Sequence, residues 1–340
     1  MICALVCVSA TRYNSPIIIV PSGHSGTISY VYDTIVLGGS FGYFSTACSY
    51  DGQKVYVAGS PSSGAGNGYV KWSSDGGISN WTTNDFLSYV LSVACSADGQ
   101  TAVYMAYNNF IGVRYTTDGG ASWQDKGNAG GWNMVAMSGD GTAVFGQIEN
   151  YGPRWTTNRF ATVAFMSPAG GYYASFGISS NGQQIITGVS GNKSTIFNGT
   201  NWIFQAGDTT FNVARYVMST YGKCVAVCYP GLVYTADFIP GTGSYFILWN
   251  ATSLAVTNRY AVAVSADGKT IATAPFYDAT CPVEITHDGG VTWDIISLPG
   301  NSHYINSIAM SADGMILYVA SQGDNLNGNF YKISTSIVYK

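Results

Sequence analysis

The sequence predicts an all-β protein: a single seven-bladed β-propeller of four-stranded antiparallel blades. Three observations carry that prediction. A unit of four apolar runs joined by tight Gly-containing turns recurs seven times along the 340 residues. The recurrence has a period of 40 to 47 residues, which suits one four-stranded sheet per copy, and one such sheet cannot bury its own faces unless copies stack. Charged residues make up only 9% of the chain, while Gly (42) and Tyr (25) are abundant, a balance that favours strands and turns over long helices.

The unit is clearest from Ser92 to Gln124. An apolar run, Val93 to Cys95, meets the turn Asp98-Gly99. Thr101 to Ala106 follows, then a polar loop, then Val113 to Thr117. Asp118-Gly119-Gly120 turns the chain again into Ser122-Trp123, read as the fourth strand. Asp-Gly between apolar runs is a strong hairpin signal because both residues tolerate positive φ. The first-turn position recurs at Asp51-Gly52, Asp98-Gly99, Asp140-Gly141, Asn181-Gly182, Tyr221-Gly222, Asp267-Gly268 and Asp313-Gly314. In every copy a Ser stands two residues before the Asp, or before the Asn or Tyr that replaces it. The fifth copy keeps only this Ser and the Gly.

Ahead of the first copy, Ile17 to Val20 and Ile28 to Leu37 both read as strands, separated by Pro21-Ser22-Gly23. Ile28 to Leu37 stands before Tyr43 as an outer strand stands before the next inner strand. It is therefore expected to join the last sheet and close the ring with a strand from each end of the chain. The alternative is that Ser336 to Tyr339 closes the last sheet itself. On the first reading residues 1–27 are an N-terminal extension and 28–340 the propeller. Ile2 to Val8 is apolar but seven residues long, too short for a membrane span. It also lacks the basic start of a signal peptide, so neither a membrane span nor export by a cleaved signal is expected.

The second turn carries a further motif. Residues 116–123 read Thr-Thr-Asp-Gly-Gly-Ala-Ser-Trp and residues 286–293 read Thr-His-Asp-Gly-Gly-Val-Thr-Trp. Residues 73–81 match with one inserted residue, and Thr156-Thr157-Asn158 and Asn198–Trp202 read as remnants. The Asp of such a turn can accept backbone N–H groups, Gly supplies the left-handed residue, and Trp can cover the gap to a neighbouring sheet. Asp75, Asp118, Trp123, Asp288 and Trp293 are thus expected to staple the fold and not to catalyse.

These two full motifs and their register resemble the Asp-box of the sialidase-like propellers. The likeness is nearest to the non-sialidase branch that includes photosystem assembly-factor propellers and xyloglucanases. A looser likeness is to the Ser-x-Asp-Gly repeat proteins of giant viruses. The resemblance covers about residues 43–335. It implies a propeller, and in sialidases a set of three Arg, a Tyr–Glu pair and an acid Asp. That set does not stand out among the six Arg and two Glu present. Glu149 with Tyr151 and Arg154 is the one tempting cluster, and Glu284 sits in a third strand, a structural place. The xyloglucanase activity belongs to two propellers with a cleft between them, and this chain supplies one.

The remaining chemistry is sparse. Among the seven Cys, Cys48 and Cys95 share a slot that Met137, Met218 and Met310 fill in other copies, which marks an apolar core position. No Cys/His cluster has metal spacing, and the three His are scattered, so neither metal nor cofactor is expected. A net charge of −4 gives no footprint for nucleic acid. In a propeller both turn types lie on one face, and binding usually sits on the other. The segments assigned to that other face hold Tyr107, Phe110, Trp132, Tyr151, Tyr172, Tyr173, Tyr277 and Tyr304. Aromatic faces suit protein partners and sugar rings alike. The expected function is a non-enzymatic binding or assembly module on an extracellular or virion surface, contacting proteins, its own copies or glycans. The alternative is a sialidase-like glycoside hydrolase.

Overall fold

A computed structural model of the chain describes residues 17–19, 26–37, 41–61, 68–85, 89–107, 112–126, 132–148, 152–165, 173–189, 193–197, 202–204, 213–220, 222–228, 232–237, 250–255, 257–275, 282–299, 304–322 and 328–339. Among these residues every regular element is a strand, and the strands form seven antiparallel sheets arranged as a β-propeller. Blades 1 to 6 occupy residues 41–85, 89–125, 132–165, 173–204, 213–251 and 259–297, each with four strands laid down in sequence order. In each blade the first strand lies innermost, against the first strands of its neighbours, and blade 7 packs on blade 1 to complete the circle.

Blade 7 is built from both ends of the chain. Its strands Tyr304–Met310, Ile316–Gln322 and Phe330–Tyr339 are followed outward by Gly26–Ile35 and then Ile17–Ile19. Gly26–Ile35 runs antiparallel to Phe330–Tyr339 over ten paired residues, from Gly26 with Tyr339 to Ile35 with Phe330. The ring is therefore closed by the N-terminal strand. Ser336 and its neighbours belong to one continuous third strand and form no closing strand of their own.

The core is divided among the seams between blades. Seven buried clusters each join two successive sheets. Between blades 1 and 2, for example, Tyr56, Ala58, Val70 and Trp72 meet Val90, Val93, Ala102 and Tyr104. Cys48 and Cys95 pack at the borders of two of these clusters. Burial pushes the Cys95 thiol up to about 12 and that of Cys48 well above its ordinary value. The shared Cys/Met slot is thus an apolar one.

The repeated Ser explains why the sheets hold their corners. Ser49, Ser96, Ser138, Ser179, Ser219, Ser265 and Ser311 are all at most 2% exposed. Ser49 Oγ donates to Asp51 at 2.5 Å and accepts the amide of Lys54 at 2.9 Å, while Gln53 N donates to Asp51 Oδ1 at 2.9 Å. The same three bonds recur at Ser96, Ser138, Ser179, Ser265 and Ser311. The fifth turn is one residue shorter: Ser219 Oγ accepts from Lys223, four positions on instead of five.

The turns also join one another. In five copies the residue after the Ser donates its backbone amide to the carbonyl of the equivalent residue one blade on. This chain runs from Ala266 through Ala312, Tyr50, Ala97 and Gly139 to Ser180, with N···O distances of 2.7–2.8 Å. Each inner strand carries a bulge. In three blades the Ser just past it accepts the amide of the next inner strand, at 3.1–3.2 Å from Ser45, Ser92 and Ser307.

One element differs from the sequence expectation. The fourth strand of blade 2 is Gln124–Asp125 and not Ser122-Trp123. Ser122 gives its amide and hydroxyl to Asp118, and Trp123 turns inward onto Tyr104. Pairing with the third strand starts only once both are past.

Candidate functional site

The two faces of the disc are built from different chemistry. On the turn face, the second turns of blades 1, 2, 3 and 6 are tied to the first turns of their own blades: Gly119 N donates to Gln100 O at 2.8 Å and Gly289 N to Lys269 O at 2.8 Å. The carboxylates here are committed internally. Asp118 Oδ1 accepts from Thr116 Oγ1 at 2.6 Å and Ser122 N at 2.9 Å, and Oδ2 accepts from Ser122 Oγ at 2.5 Å. The hydroxyls of Ser122 and then Thr116 hold this carboxyl well below the usual range. Asp288 repeats the arrangement with Thr286 and Thr292. Asp75 accepts from Ser73, Ser79 and, because of the inserted residue, the side-chain amide of Asn80.

The motif at Thr156 is intact in the structure although the sequence reads as a remnant. Asn158 Oδ1 accepts from Thr156 Oγ1 at 2.9 Å and from Thr162 N at 2.9 Å, and its amide donates to Thr162 Oγ1 at 2.8 Å. Arg159 and Phe160 stand at φ 55° and 65°, where the other copies have Gly-Gly. Phe160 meets Tyr115 of the preceding blade edge-on at 5.5 Å, the covering role that Trp123 plays against Trp72 and Tyr56 of blade 1. Trp81 and Trp293 donate their indole N–H to the glycine carbonyls of their own turns, Gly77 and Gly290. Trp123 Nε1 is buried with no hydrogen-bond partner.

Glu284 lies in the third strand of blade 6, as expected. It grips the guanidinium of Arg259 with both oxygens, at 2.6 Å to Nε and 2.8 Å to Nη2, while Nη1 donates to Ala255 O at 2.6 Å. Arg259 is 0% exposed. This pair pins the connection between blades 5 and 6 to the inner strand, and Glu284 is spent on it.

Side chains cross the axis from inner strands and turns. Tyr50 in blade 1 reaches Thr220 in blade 5, with 2.8 Å between the hydroxyl oxygens. A Cβ placed on Gly139 of blade 3 would come within 3.2 Å of the same hydroxyl. A residue that meets blades 3 and 5 from blade 1 spans the central channel, so Tyr50 narrows its mouth at the turn face. Further along, Arg215 of blade 5 stacks over Tyr260 of blade 6 at 3.9 Å and lies 3.9 Å from the Met134 sulfur of blade 3.

The opposite face carries the aromatic candidates that lie among the described residues. Trp132, Tyr173 and Tyr304 are the first residues of the inner strands of blades 3, 4 and 7, so the fold brings all three to the channel rim; Trp132 and Tyr173 share one register at the bulge, and Tyr304 stands one residue earlier. Tyr107 ends the second strand of blade 2 and pairs with Tyr89, which starts that blade's inner strand. Tyr89 therefore belongs to the same rim, and its register relative to Ser96 marks it in the sequence. Phe110, Tyr151, Tyr172 and Tyr277 lie outside the described residues, as does Glu149. Among the described residues no group of three or more His, Cys, Asp or Glu is placed to hold a metal ion, and no helix is long and apolar enough to cross a membrane.

No protein-family model matches the chain, and no curated protein matches it. Solved structures do. YCF48 bound to a D1 peptide matches with a TM-score of 0.65 at 15% identity, over 90% of this chain and 97% of that one. YCF48 from Cyanidioschyzon merolae matches with 0.65 at 16%, over 89% and 98%. The β-propeller domain of Cps50 (Swd1) from Myceliophteria thermophila matches with 0.67 at 9%, over 88% and 98%. At these identities the likeness is one of fold.

Proposed function

We propose that the protein is a non-catalytic binding or assembly module, and that its partner, a protein or a second copy of the chain, docks on the rim face. The observation that carries this reading is the contrast between the two faces. On the turn face the serine hydroxyls and motif carboxylates bond within their own turns. The rim gathers Tyr89, Trp132, Tyr173 and Tyr304 as the first residues of four inner strands. Aromatic residues are favoured in protein interfaces because they bury much area at low conformational cost. A fold neighbour solved with a bound peptide supports the same use of this architecture. The second-turn motif is the ground for proposing kinship with the sialidase-like propellers, in a branch without their catalytic set. Low charge, 9% of residues, favours close packing of copies, and with it display on an extracellular or virion surface.

Light scattering coupled to size exclusion, over a hundredfold range of concentration, tests the reading through self-association. The wild type is expected to run larger than a monomer, and Trp132→Ala with Tyr304→Ala is expected to weaken association at least tenfold. A monomer at every concentration, together with glycan hydrolysis that Glu149→Gln abolishes, would overturn it in favour of a glycoside hydrolase.

A further inference from the structure

A cleft of about 680 Å³ opens on the turn face between the outer strand of blade 1 and the second turn of blade 2. This volume is that of a small-ligand site. Its walls include Lys54, Thr82, Asn84, Arg114, Asp118 and Trp123. Nothing in the rim reading uses it.

Both cations of these walls have an acid close by. Arg114 Nη2 lies 3.2 Å from Asp125 Oδ2. Lys54 Nζ donates to Ser74 Oγ at 2.8 Å and lies against the Asp118 turn, 3.0 Å from where a Cβ on Gly119 would stand. Each cation thus has an acid beside it, Asp118 in the wall for Lys54 and Asp125 outside the lining for Arg114, and the cleft offers little net field that would select a charged ligand. It does offer hydrogen-bonding groups of both kinds. The ammonium of Lys54, the guanidinium of Arg114 and the hydroxyl of Thr82 are donors. Asp118 has acceptor lone pairs beyond those its turn uses, and Asn84, whose amide donates to Tyr104 Oη at 3.2 Å, keeps its carbonyl oxygen as an acceptor. The half-buried indole of Trp123 adds an apolar wall beside them.

An aromatic wall next to interleaved donors and acceptors, with little net field, matches a neutral polyol that presents a C–H face and a fringe of hydroxyls. We propose that this cleft binds a neutral saccharide. Thr82 and Asn84 alternate on one face of the outer strand, and Asn84 bonds across to blade 2, so both side chains face the ligand space. The outer strand is an edge, and Thr82 is exposed, so it accepts a large residue without disturbing a seam.

Calorimetric titration of the full chain with cellotetraose, maltotetraose and chitotetraose, with tetragalacturonate as the charged control, tests the assignment. At least one neutral tetrasaccharide is expected to bind saturably and more tightly than tetragalacturonate. Thr82→Trp is expected to weaken it at least tenfold by filling the cleft, Asn84→Ala by about tenfold, and Tyr304→Ala on the rim not at all. Circular dichroism confirms that the variants are folded. Absence of saturable binding by all three neutral probes, tighter binding of tetragalacturonate, or wild-type affinity in both folded cleft variants would overturn it. Loss of self-association in the rim variants with saccharide binding intact would separate the two sites.

Discussion

At Arg159 and Phe160 the chain does with ordinary side chains what it elsewhere does with Gly-Gly. Both sit in the left-handed region, where a Cβ crowds the following carbonyl at a cost of roughly 1–2 kcal/mol per residue. Phe160 recovers part of that by covering Tyr115, whereas Arg159 is exposed. Arg159→Gly is therefore expected to stabilise the protein by about 1 kcal/mol, after the entropy that Gly gains in the unfolded chain. For a chain this long that is a rise in Tm of about 1–2 °C, readable by differential scanning calorimetry. Glu284 gives the opposite case. Replacing it by Gln leaves the fully buried Arg259 without its countercharge, and breaking such a pair costs about 3–5 kcal/mol. Glu284→Gln is expected to lower the urea midpoint sharply, and a variant as stable as the wild type would refute the structural role. The sequence made Asp118 and Asp288 legible because their turns keep every motif residue. It showed the turn at Asn158 only as a remnant, because Arg159 and Phe160 replace the two Gly and strain at two positions is invisible in a string of letters.

The closing strand is the element on which the circle depends. Gly26–Ile35 could be placed from the sequence because the repeat fixes where an outer strand must fall. What it touches could not be, since that requires knowing how far apart two blades stand. Tyr30, on this strand, is 0% exposed. Its hydroxyl donates to Asp294 Oδ2 of blade 6 at 2.6 Å and lies 3.2 Å from Nε2 of His287, whose Nδ1 is 3.1 Å from Thr270 Oγ1. Burial and then the bond to Asp294 raise the Tyr30 phenol well above its ordinary value, so it remains a donor at any working pH. The strand is thus latched sideways to blade 6 as well as paired to blade 7. Tyr30→Phe removes the shared hydroxyl and leaves two polar partners facing an apolar ring, a loss of about 1–3 kcal/mol. Amide exchange is expected to rise first along Gly26–Ile35 and its partner Phe330–Tyr339. Uniform exchange changes over all blades would show that the latch has no local role. The rim aromatics were legible only as residue types in loops and strand starts. The strand register gives Trp132 and Tyr173 one rim position and Tyr304 another, one residue earlier, to which it adds Tyr89.

Over the whole molecule the carboxylate turns act in concert, and their charge state sets how stability responds to acid. Asp51, Asp75, Asp98, Asp118, Asp140, Asp267 and Asp288 all titrate below the ordinary carboxylate value. At Asp51, Asp98 and Asp118 the bond from the turn's hydroxyl is the largest cause. At Asp75, Asp140, Asp267 and Asp288 partial burial pushes upward, and the hydroxyl and amide bonds together outweigh it. A carboxylate whose folded pKa lies below its unfolded one binds fewer protons when folded, so stability rises with pH across that interval. The contribution is complete above the unfolded value, about pH 4, and is lost as pH falls through the lower folded values. Because these seven carboxylates are spread over four blades, the acid limb is expected to be steep and to involve several protons. Near neutral pH the same groups leave stability flat. Asn158 shows that the turn geometry survives without a charge, so Asp118→Asn offers a clean comparison. At pH 7 the variant loses the depressed carboxylate and is less stable than the wild type. As pH falls below about 4, where the wild-type group becomes protonated in the unfolded chain first, the gap closes. Urea midpoints measured from pH 7 to pH 2 read this directly: a gap that stays constant over the range would mean that Asp118 holds its turn by shape alone.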